Sequence, residues 1–567
     1  KLFLSLALIL TSTIMYAQTE ITGTVVDATG ETVIGATVME KGTSNGTITD
    51  FDGNFKIKVK AGATLVFSYI GFKSEELPAK QGMQVTMQDN AKELAEVVVT
   101  GYQVQRKADL TGSVSVVETK DLKTSSDTDP MRALQGKVPG MTITSNGSPV
   151  GAGTVRIRGI GSFNSSQDPL FVIDGVPTTT NLNTLNMNDI ESMQVLKDAA
   201  SASIYGSRAA NGVIIITTRS GKKGDKVNVD FSANLTAQVY NSQSMMKLSN
   251  SAEYATAMAQ AALNDGLDPV AYASNYGLNL HAAQGTPIRA YDPATGQYND
   301  YVVNGLYDGY MNAKRTMRYS DTDWLDAISR TGFSQNYDLS LSKATDKSSA
   351  LVSFGYKKNE GILKYTDFES FSSRINTSFK VNKIVTVGEN ATITYSNQVD
   401  CQPLENALKM SPTLPVYEED GVTFSGPVGG MSDRQNPLRE LYHNRDNRLK
   451  MWRIFGNAYV DIQPIKGLTL RSNFGLDLWS ENIHSVTYTW HSDVVNNSTP
   501  SASMGAKTSS KWTWSNTANY NFNLGVDHSF ILLGGIELHR DVTDTSNAYA
   551  QMFALENYDY MYPDAAT

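Results

Sequence analysis

The residue types that do covalent or metal chemistry are few in this chain, and their spacing does not suit them to it. Six histidines, His281, His443, His484, His491, His528 and His539, are scattered through the sequence. None falls in an HExxH or other zinc-ligand pattern. Cysteine occurs once, at Cys401, so no disulfide can form within the chain and a thiolate metal site is not expected. No GxSxG elbow and no GxxxxGK[ST] loop is present. The run Asp50-Phe-Asp52-Gly53-Asn54 has calcium-loop residue types. Its glycine stands fourth rather than sixth, and the twelfth position is Ala61 instead of a bidentate glutamate. A tight turn with Gly53 at positive φ is the better reading. Gly151-Ala-Gly153-Thr-Val-Arg156 begins like a dinucleotide loop but lacks the third glycine and runs into a strand pattern, so it reads as a turn. Glu419 and Asp420 sit in a polar loop and read as solvated surface. The expectation is a protein that is not an enzyme, with no cofactor and no metal.

The chain has 567 residues and a formal net charge of -9. No basic stripe offsets that charge, which argues against nucleic acid as a partner. The N-terminus, KLFLSLALILTSTIMYAQ, combines a basic first residue, an apolar run and Ala17 before Gln18. That is the pattern of a cleaved secretory signal over residues 1–17. Nothing later approaches the ~20 consecutive apolar residues of a membrane helix. Mean hydropathy is -0.29, which leaves a membrane β-barrel open, because alternating strands average out.

Residues 18–90 hold short alternating runs near 21–26, 36–40, 46–49, 55–59 and 64–69, split by Gly and Asp turns. Turn signals at that interval predict a small β-sandwich. Residues 91–108 contain ELAEVVVTGY, an isolated β-branched triplet with polar flanks. Such a strand has a free edge and can join a partner's sheet. Between 109 and 222 a helix is predicted near 127–134, with Asp129 as its cap and Pro130 in the first turn. Strands are predicted at 141–144, 154–158, Leu170–Ile173 and Val213–Thr218. The stretch ESMQVLKDAASASIYGSRAANGVIIITTRSG (191–221) reads as a short amphipathic helix, a glycine-containing turn and a β-branched strand.

From residue 223 to 567 the pattern is alternation. Val227, Val229, Phe231, Ala233 and Leu235 interleave with Asn228, Asp230, Ser232 and Asn234; Phe371, Ile375 and Phe379 interleave with Ser372, Arg374, Asn376 and Ser378. Side chains two apart share a strand face, so one face is apolar and the other polar. Nine such runs are counted, many long enough for the ~9–11 residues of a tilted spanning strand. Aromatic residues recur near run ends, at Tyr240, Phe333, Tyr356, Phe371, Tyr395, Trp452, Trp479, Trp512, Trp514 and Phe530, as interfacial girdles require. Short joints at 344–347, 382–384, 463–467 and 523–527 alternate with longer ones at 241–328, 359–368, 400–448 and 482–509. Brief turns on one side and extended loops on the other describe an up-and-down barrel. Residues 249–266 read as a capped helix inside the first long loop. Nine strands cannot close around a domain of ~110 residues, and the chain is expected to be the N-terminal portion of a longer, about 22-stranded barrel.

The segments LQGKVPGMTIT (134–144), VRIRGIGS (155–162), DPLFVIDGVP (168–177) and YGSRAANGVIIITT (205–218) together resemble the plug of TonB-dependent outer-membrane receptors of the SusC/RagA type. Residues 18–90 resemble the carboxypeptidase-regulatory-like domain, specifically in Thr22–Asp27, Gly35–Thr37 and Asp50–Phe55. The resemblance implies a mainly β fold: an N-terminal sandwich, an α+β plug and part of a large antiparallel transmembrane barrel. It implies that Glu96, Val97, Val98, Val99 and Thr100 form the TonB box. The plug-motif positions it marks are Arg156, Arg158, Asp174, Gly175, Tyr205, Gly206, Arg208, Asn211 and Gly212. It also implies a TonB-type energising partner in the periplasm, a SusD-type surface lipoprotein, outer-membrane lipid, and active import of an oligosaccharide or peptide. A surface glycan- or peptide-binding receptor or adhesin without transport is the alternative. Arg156, Arg158 and Arg208 are expected to pair with carboxylates where plug meets wall, with service to a ligand as the alternative. For the lumen residues Arg374, Arg453 and Arg471, guiding a ligand and anchoring the plug stay equally open.

Overall fold

A computed structural model of the chain describes residues 18–566 apart from 28–29, 44, 61, 70–71, 89–96, 101–102, 107–112, 123–128, 145–146, 152–153, 162–165, 180–181, 199–201, 225, 242–246, 286–287, 307–319, 428–432, 493 and 525–527. The expected signal segment 1–17 and Glu96 lie outside the described residues.

The first unit is a sandwich of two small sheets. Strands β1 (Gln18–Val26), β4 (Asn54–Lys60) and β7 (Met83–Thr86) form one, in the order β4-β1-β7. Strands β2 (Thr37–Glu40), β3 (Gly46–Ile48), β5 (Thr64–Ser68) and β6 (Glu75–Pro78) form the other, ordered β3-β2-β5-β6. Strand β4 alternates strictly between exposed lysines and buried Phe55, Ile57 and Val59, the mark of a sheet with one wet face. The Asp50–Asn54 run is a turn. The Asp50 carboxylate accepts from the Asp52 and Asn54 amides at 3.0 and 2.8 Å, and Gly53 takes φ +73°. Val97–Thr100 (β8) and Gln103–Arg106 (β9) pair as a sheet of their own.

The second unit holds the plug and the wall. The plug's main sheet is β10 (Val114–Glu118), β15 (Ile190–Leu196), β16 (Val213–Thr218), β13 (Leu170–Ile173) and β14 (Val176–Thr178), side by side in that order. A hairpin of β11 (Met141–Ile143) and β12 (Val155–Ile157) stands beside it. The helix Pro130–Ala133 is capped as expected, with the Asp129 carboxylate accepting from Met131 N at 2.7 Å. The amphipathic helix expected from residue 191 is instead strand β15, and the helical turns come later, at Ser203–Ala209. Strand β15 lies between β10 and β16, and four consecutive residues, Met193–Leu196, are buried. A strand covered on both faces loses its period of two and cannot be told from a buried helix by pattern.

The wall is one antiparallel sheet of nine strands in sequence order: β17 (Asn228–Gln238), β21 (Gly332–Ala344), β22 (Ser348–Glu360), β23 (Asp367–Lys380), β24 (Val385–Val399), β25 (Arg448–Ile462), β26 (Leu468–Thr487), β27 (Ser501–Leu524) and β28 (His528–Gln551). Strands β18 (Leu278–Ala282), β19 (Ile288–Asp292) and β20 (Gln297–Leu306) form a small sheet inside the first long connection. The same connection carries the helix Ser251–Asn264, closed by a capping box between Asn250 and Glu253.

Short and long joints alternate, but two of the long ones shrink. Strands β22 and β23 leave only 361–366 between them, and the last three strands reach 20, 24 and 24 residues, cutting 482–509 to 488–500. The extensions are polar, such as Ser501–Ser510, and carry no apolar period to betray them.

The two wall faces differ as expected. On β21, Ser334, Asn336, Asp338, Ser340 and Ser342 are buried, whereas Phe333, Leu339 and Leu341 are exposed. Phe371, Ile375 and Phe379 on β23 are likewise exposed. Tyr337, Tyr356, Phe371, Tyr395 and Trp452 are paired in register across five adjacent strands on the apolar face. Trp479 departs from the expected girdle: it pairs with the buried Arg453 and so faces inward. No described helix is long and apolar enough to cross a membrane.

Candidate functional site: where plug meets wall

Asp174 and Gly175 form the turn between β13 and β14, at φ +48° and +84°, a two-residue hairpin of the kind that demands positive φ. This turn aims the Asp174 carboxylate at the end of β16. It accepts from Thr218 N at 2.9 Å and from Thr218 Oγ1 at 2.7 Å. From the wall, Arg374 of β23 donates Nη2 to the same carboxylate at 2.8 Å and Nη1 to Thr392 Oγ1 at 2.9 Å, and it also bonds Thr218 Oγ1. The Arg374 side chain is 2 % exposed. A guanidinium so buried is stable only with its charge matched, and the plug supplies the matching charge.

A second anchor lies two strands along. Arg453 of β25 donates Nε and Nη2 to Asp477 of β26 at 2.8 and 2.9 Å, a bidentate pair with side chains 5 % and 1 % exposed. The plug joins it through Thr178, whose hydroxyl donates to Asp477 at 2.7 Å and accepts from Arg453 at 3.1 Å, and through Thr184 Oγ1, which accepts from Arg453 at 3.3 Å. Between the anchors the surfaces touch. A Cβ on Gly475 of β26 would lie 2.6 Å from a Val176 methyl, so only glycine lets β14 come this close.

A third group surrounds Asp189. Ser353 Oγ of β22 donates to it at 2.6 Å. Burial pushes the Asp189 carboxyl up, and the Ser353 donation opposes that. Asn186 and Asn188 both donate to Asp338 of β21, which also accepts from Asn336 at 2.7 Å. Arg219 pairs with Asp230 of β17 at 2.9 Å, and its carbonyl accepts from Asn376 at 3.0 Å. A polar cavity of about 390 Å³ lies here, lined by Asn188, Asp189, Arg219, Asp230, Ser232 and Asp338 among others.

The expected plug positions sort as follows. Arg208 pairs with Glu537 of β28 at 2.6 Å, across the plug–wall boundary. Arg158, at φ +58°, pairs with Asp198 of the plug itself instead of the wall. Arg156 lies on β12, where its buried Nε has no hydrogen-bond partner among the described residues. Tyr205 is buried, and Gly206 takes φ +65° inside the helical turns. Asn211 Nδ2 donates to Ser166 O at 2.7 Å, and Gly212, at φ +87°, leads into β16. Of the lumen arginines, Arg374 and Arg453 anchor the plug, whereas Arg471 makes a bidentate pair with Asp461 on the neighbouring strand at 2.6 Å. The reading from sequence missed Thr178, Thr184, Asp189, Asp338 and Asp477. The available signal was a charged residue at an inward position of an alternating strand, as at Asp338 and Asp477. Val97–Thr100 is a strand paired with Gln103–Arg106.

Residues 106–213 match the TonB-dependent Receptor Plug Domain, and residues 21–99 match the CarboxypepD_reg-like domain. A TonB-dependent receptor of Formosa agariphila is 32 % identical over 532 residues, covering 92 % of this chain and 49 % of the relative. The chain belongs to the TonB-dependent receptor family. The TonB-dependent receptor SusC of Bacteroides thetaiotaomicron is 34 % identical over 428 residues, covering 72 % of this chain and 37 % of SusC. The RagAB peptide importer in its open-open state superposes with a TM-score of 0.65 at 25 % identity, over 83 % of this chain and 52 % of that one. These neighbours place the chain with TonB-dependent receptors of the SusC/RagA type, and it spans about half the length of the curated relatives it matches.

Proposed function

We propose that the full receptor imports a nutrient across the outer membrane, with residues 109–222 as the gate and 223–567 as part of the barrel wall. The observation that carries this reading is the double character of the wall. Its outer face is exposed and apolar around Phe371, Ile375 and Phe379, while its inner face is polar and bonded to a folded domain through Arg374 and Arg453. A lumen filled in this way admits nothing by passive diffusion, so transport needs work done on the plug. The periplasm holds no nucleotide pool, and the energy enters through a TonB-type partner that adds a strand to Glu96, Val97, Val98, Val99 and Thr100. The signal over 1–17 directs export and is removed. A SusD-type lipoprotein closes the outer side, and the cargo is an oligosaccharide or a peptide. Deleting residues 96–100 from the full receptor abolishes energised uptake of labelled oligosaccharide and peptide mixtures by whole cells and leaves surface binding intact. Uptake that survives the deletion contradicts the coupling role.

A further inference from the structure

Resting on the membrane placement proposed above, we infer that the outer face of the wall is a site for one phosphorylated lipid of the outer leaflet. One acyl chain lies in a groove at Ser373, and the headgroup phosphates meet Lys358 and Lys450. The groove comes from a small residue set among large ones. Phe231, Leu339, Phe354, Ser373, Ile393 and Ile454 stand in register across adjacent strands from β17 to β25, on the apolar face. Ser373 alone in that row lacks bulk. The next row toward the long connections is the aromatic one, in which the Tyr356 and Phe371 rings lie 4.8 Å apart, as do those of Tyr395 and Trp452. The notch under these rings is a cavity of about 480 Å³, lined by Phe231, Leu339, Phe354, Ser373, Ile393 and Trp452 among others. That volume falls within the ~300–1,000 Å³ of a small-molecule site. Its walls are chiefly hydrocarbon and aromatic carbon, and a hydrocarbon chain is the ligand that such walls favour.

The charge above the groove says what kind of headgroup the chain carries. One row beyond the aromatics, on the same face, stand Gln335, Lys358, Glu369, Asn397 and Lys450. Glu369 is already engaged, since the Tyr356 hydroxyl donates to it at 2.8 Å. Among the described residues, neither Lys358 nor Lys450 makes an ion pair or a side-chain hydrogen bond. The two stand three strands apart, about 14 Å at ~4.8 Å per strand, a span that suits a broad headgroup better than a single ion. Lysines without a counter-charge at a membrane surface attract anionic lipid, and an ammonium makes strong charge-assisted bonds to phosphate. An aromatic girdle by itself meets lipid anywhere along its length. The notch below it and the two free cations above it hold one chain and one headgroup at one place.

The test uses the full receptor in phosphatidylcholine nanodiscs doped with diphosphorylated lipid A, released into a native mass spectrometer so that retained lipid A is counted. Ser373→Leu fills the groove, and Lys358→Gln with Lys450→Gln removes the charge. Ala458→Leu enlarges a small exposed residue of β25 outside the groove. Heat-dependent gel migration shows whether each variant is a folded barrel. The parent and Ala458→Leu are expected to retain a single lipid A. Ser373→Leu and the double lysine variant each lower that occupancy at least about tenfold, and lipid A stripped of its phosphates binds the parent no better than intact lipid A binds the lysine variant. Occupancy within about twofold of the parent in either folded variant, or equal retention of the stripped lipid, overturns the inference. So does a co-purifying polypeptide that is lost from Ser373→Leu, because the groove then docks a protein. A parent that fails to enter nanodiscs at all would instead defeat the membrane placement on which the inference rests.

Discussion

Asp174→Asn tests the chief anchor without disturbing the turn that carries it. Asparagine tolerates the left-handed conformation that residue 174 adopts at φ +48°, and its Oδ1 still accepts from Thr218 N. What is lost is the charge facing Arg374, whose side chain is 2 % exposed. Removing one member of a buried ion pair leaves the other uncompensated and costs ~3–5 kcal/mol. Asp174 is itself 12 % exposed, so the lower end applies, about 3 kcal/mol. That is roughly a hundredfold rise in the population with the plug off the wall. Amide exchange of the full receptor in nanodiscs, read by mass spectrometry, reports this population at Gly221, whose amide donates to Ser349 of the wall. The expected result is a loss of protection at Gly221 approaching a hundredfold, with strands β24–β26 unaffected. Protection at Gly221 within about threefold of the parent would refute the idea that the pair holds the plug.

Other consequences can be checked independently. Gly475→Val forces a side chain into Val176, against a Cβ position already 2.6 Å from its methyl; the plug of this variant should become sensitive to protease added from the periplasmic side. His443, in the helix Pro437–Asn444, is kept neutral by burial, with Arg439 and Arg445 adding to the effect, and its pKa falls from 6.5 to about 4. The folded loop therefore binds fewer protons than the unfolded one between those values. Its stability is intact above pH 6.5 and declines as pH drops toward 4, so exchange protection across 400–448 should fall over that window and His443→Phe should abolish the fall. Burial pushes the Cys401 thiol up to about 12, and a maleimide applied to whole cells at pH 7 should leave it unlabelled.

The sequence made the wall legible because each strand there has one dry and one wet side. All nine runs, from Val229–Leu235 to Phe530–Leu538, are strands in the expected order. It failed where that contrast disappears. Strand β15 is covered on both faces and passed for a helix, and the polar tops of β26–β28 carry no apolar period. The plug turns could be read from local chemistry, as with Asp129-Pro130 and Asp174-Gly175. The anchors could not, because Arg374 and Asp174 are 200 residues apart. An inward arginine on an alternating strand announces that it needs a partner, and only the register of the assembled sheet says which one. The same limit applied to Arg158, which had an acceptor within its own domain.

The account depends most on which side of the wall meets lipid. Nitroxide labels placed singly at positions 371 to 379 of the full receptor in bilayers measure it directly, through their accessibility to dissolved oxygen. The account predicts a period of two, with high accessibility at 371, 375 and 379 and immobile, oxygen-poor labels at 374 and 376. A reversed phase, or no alternation at all, would contradict it.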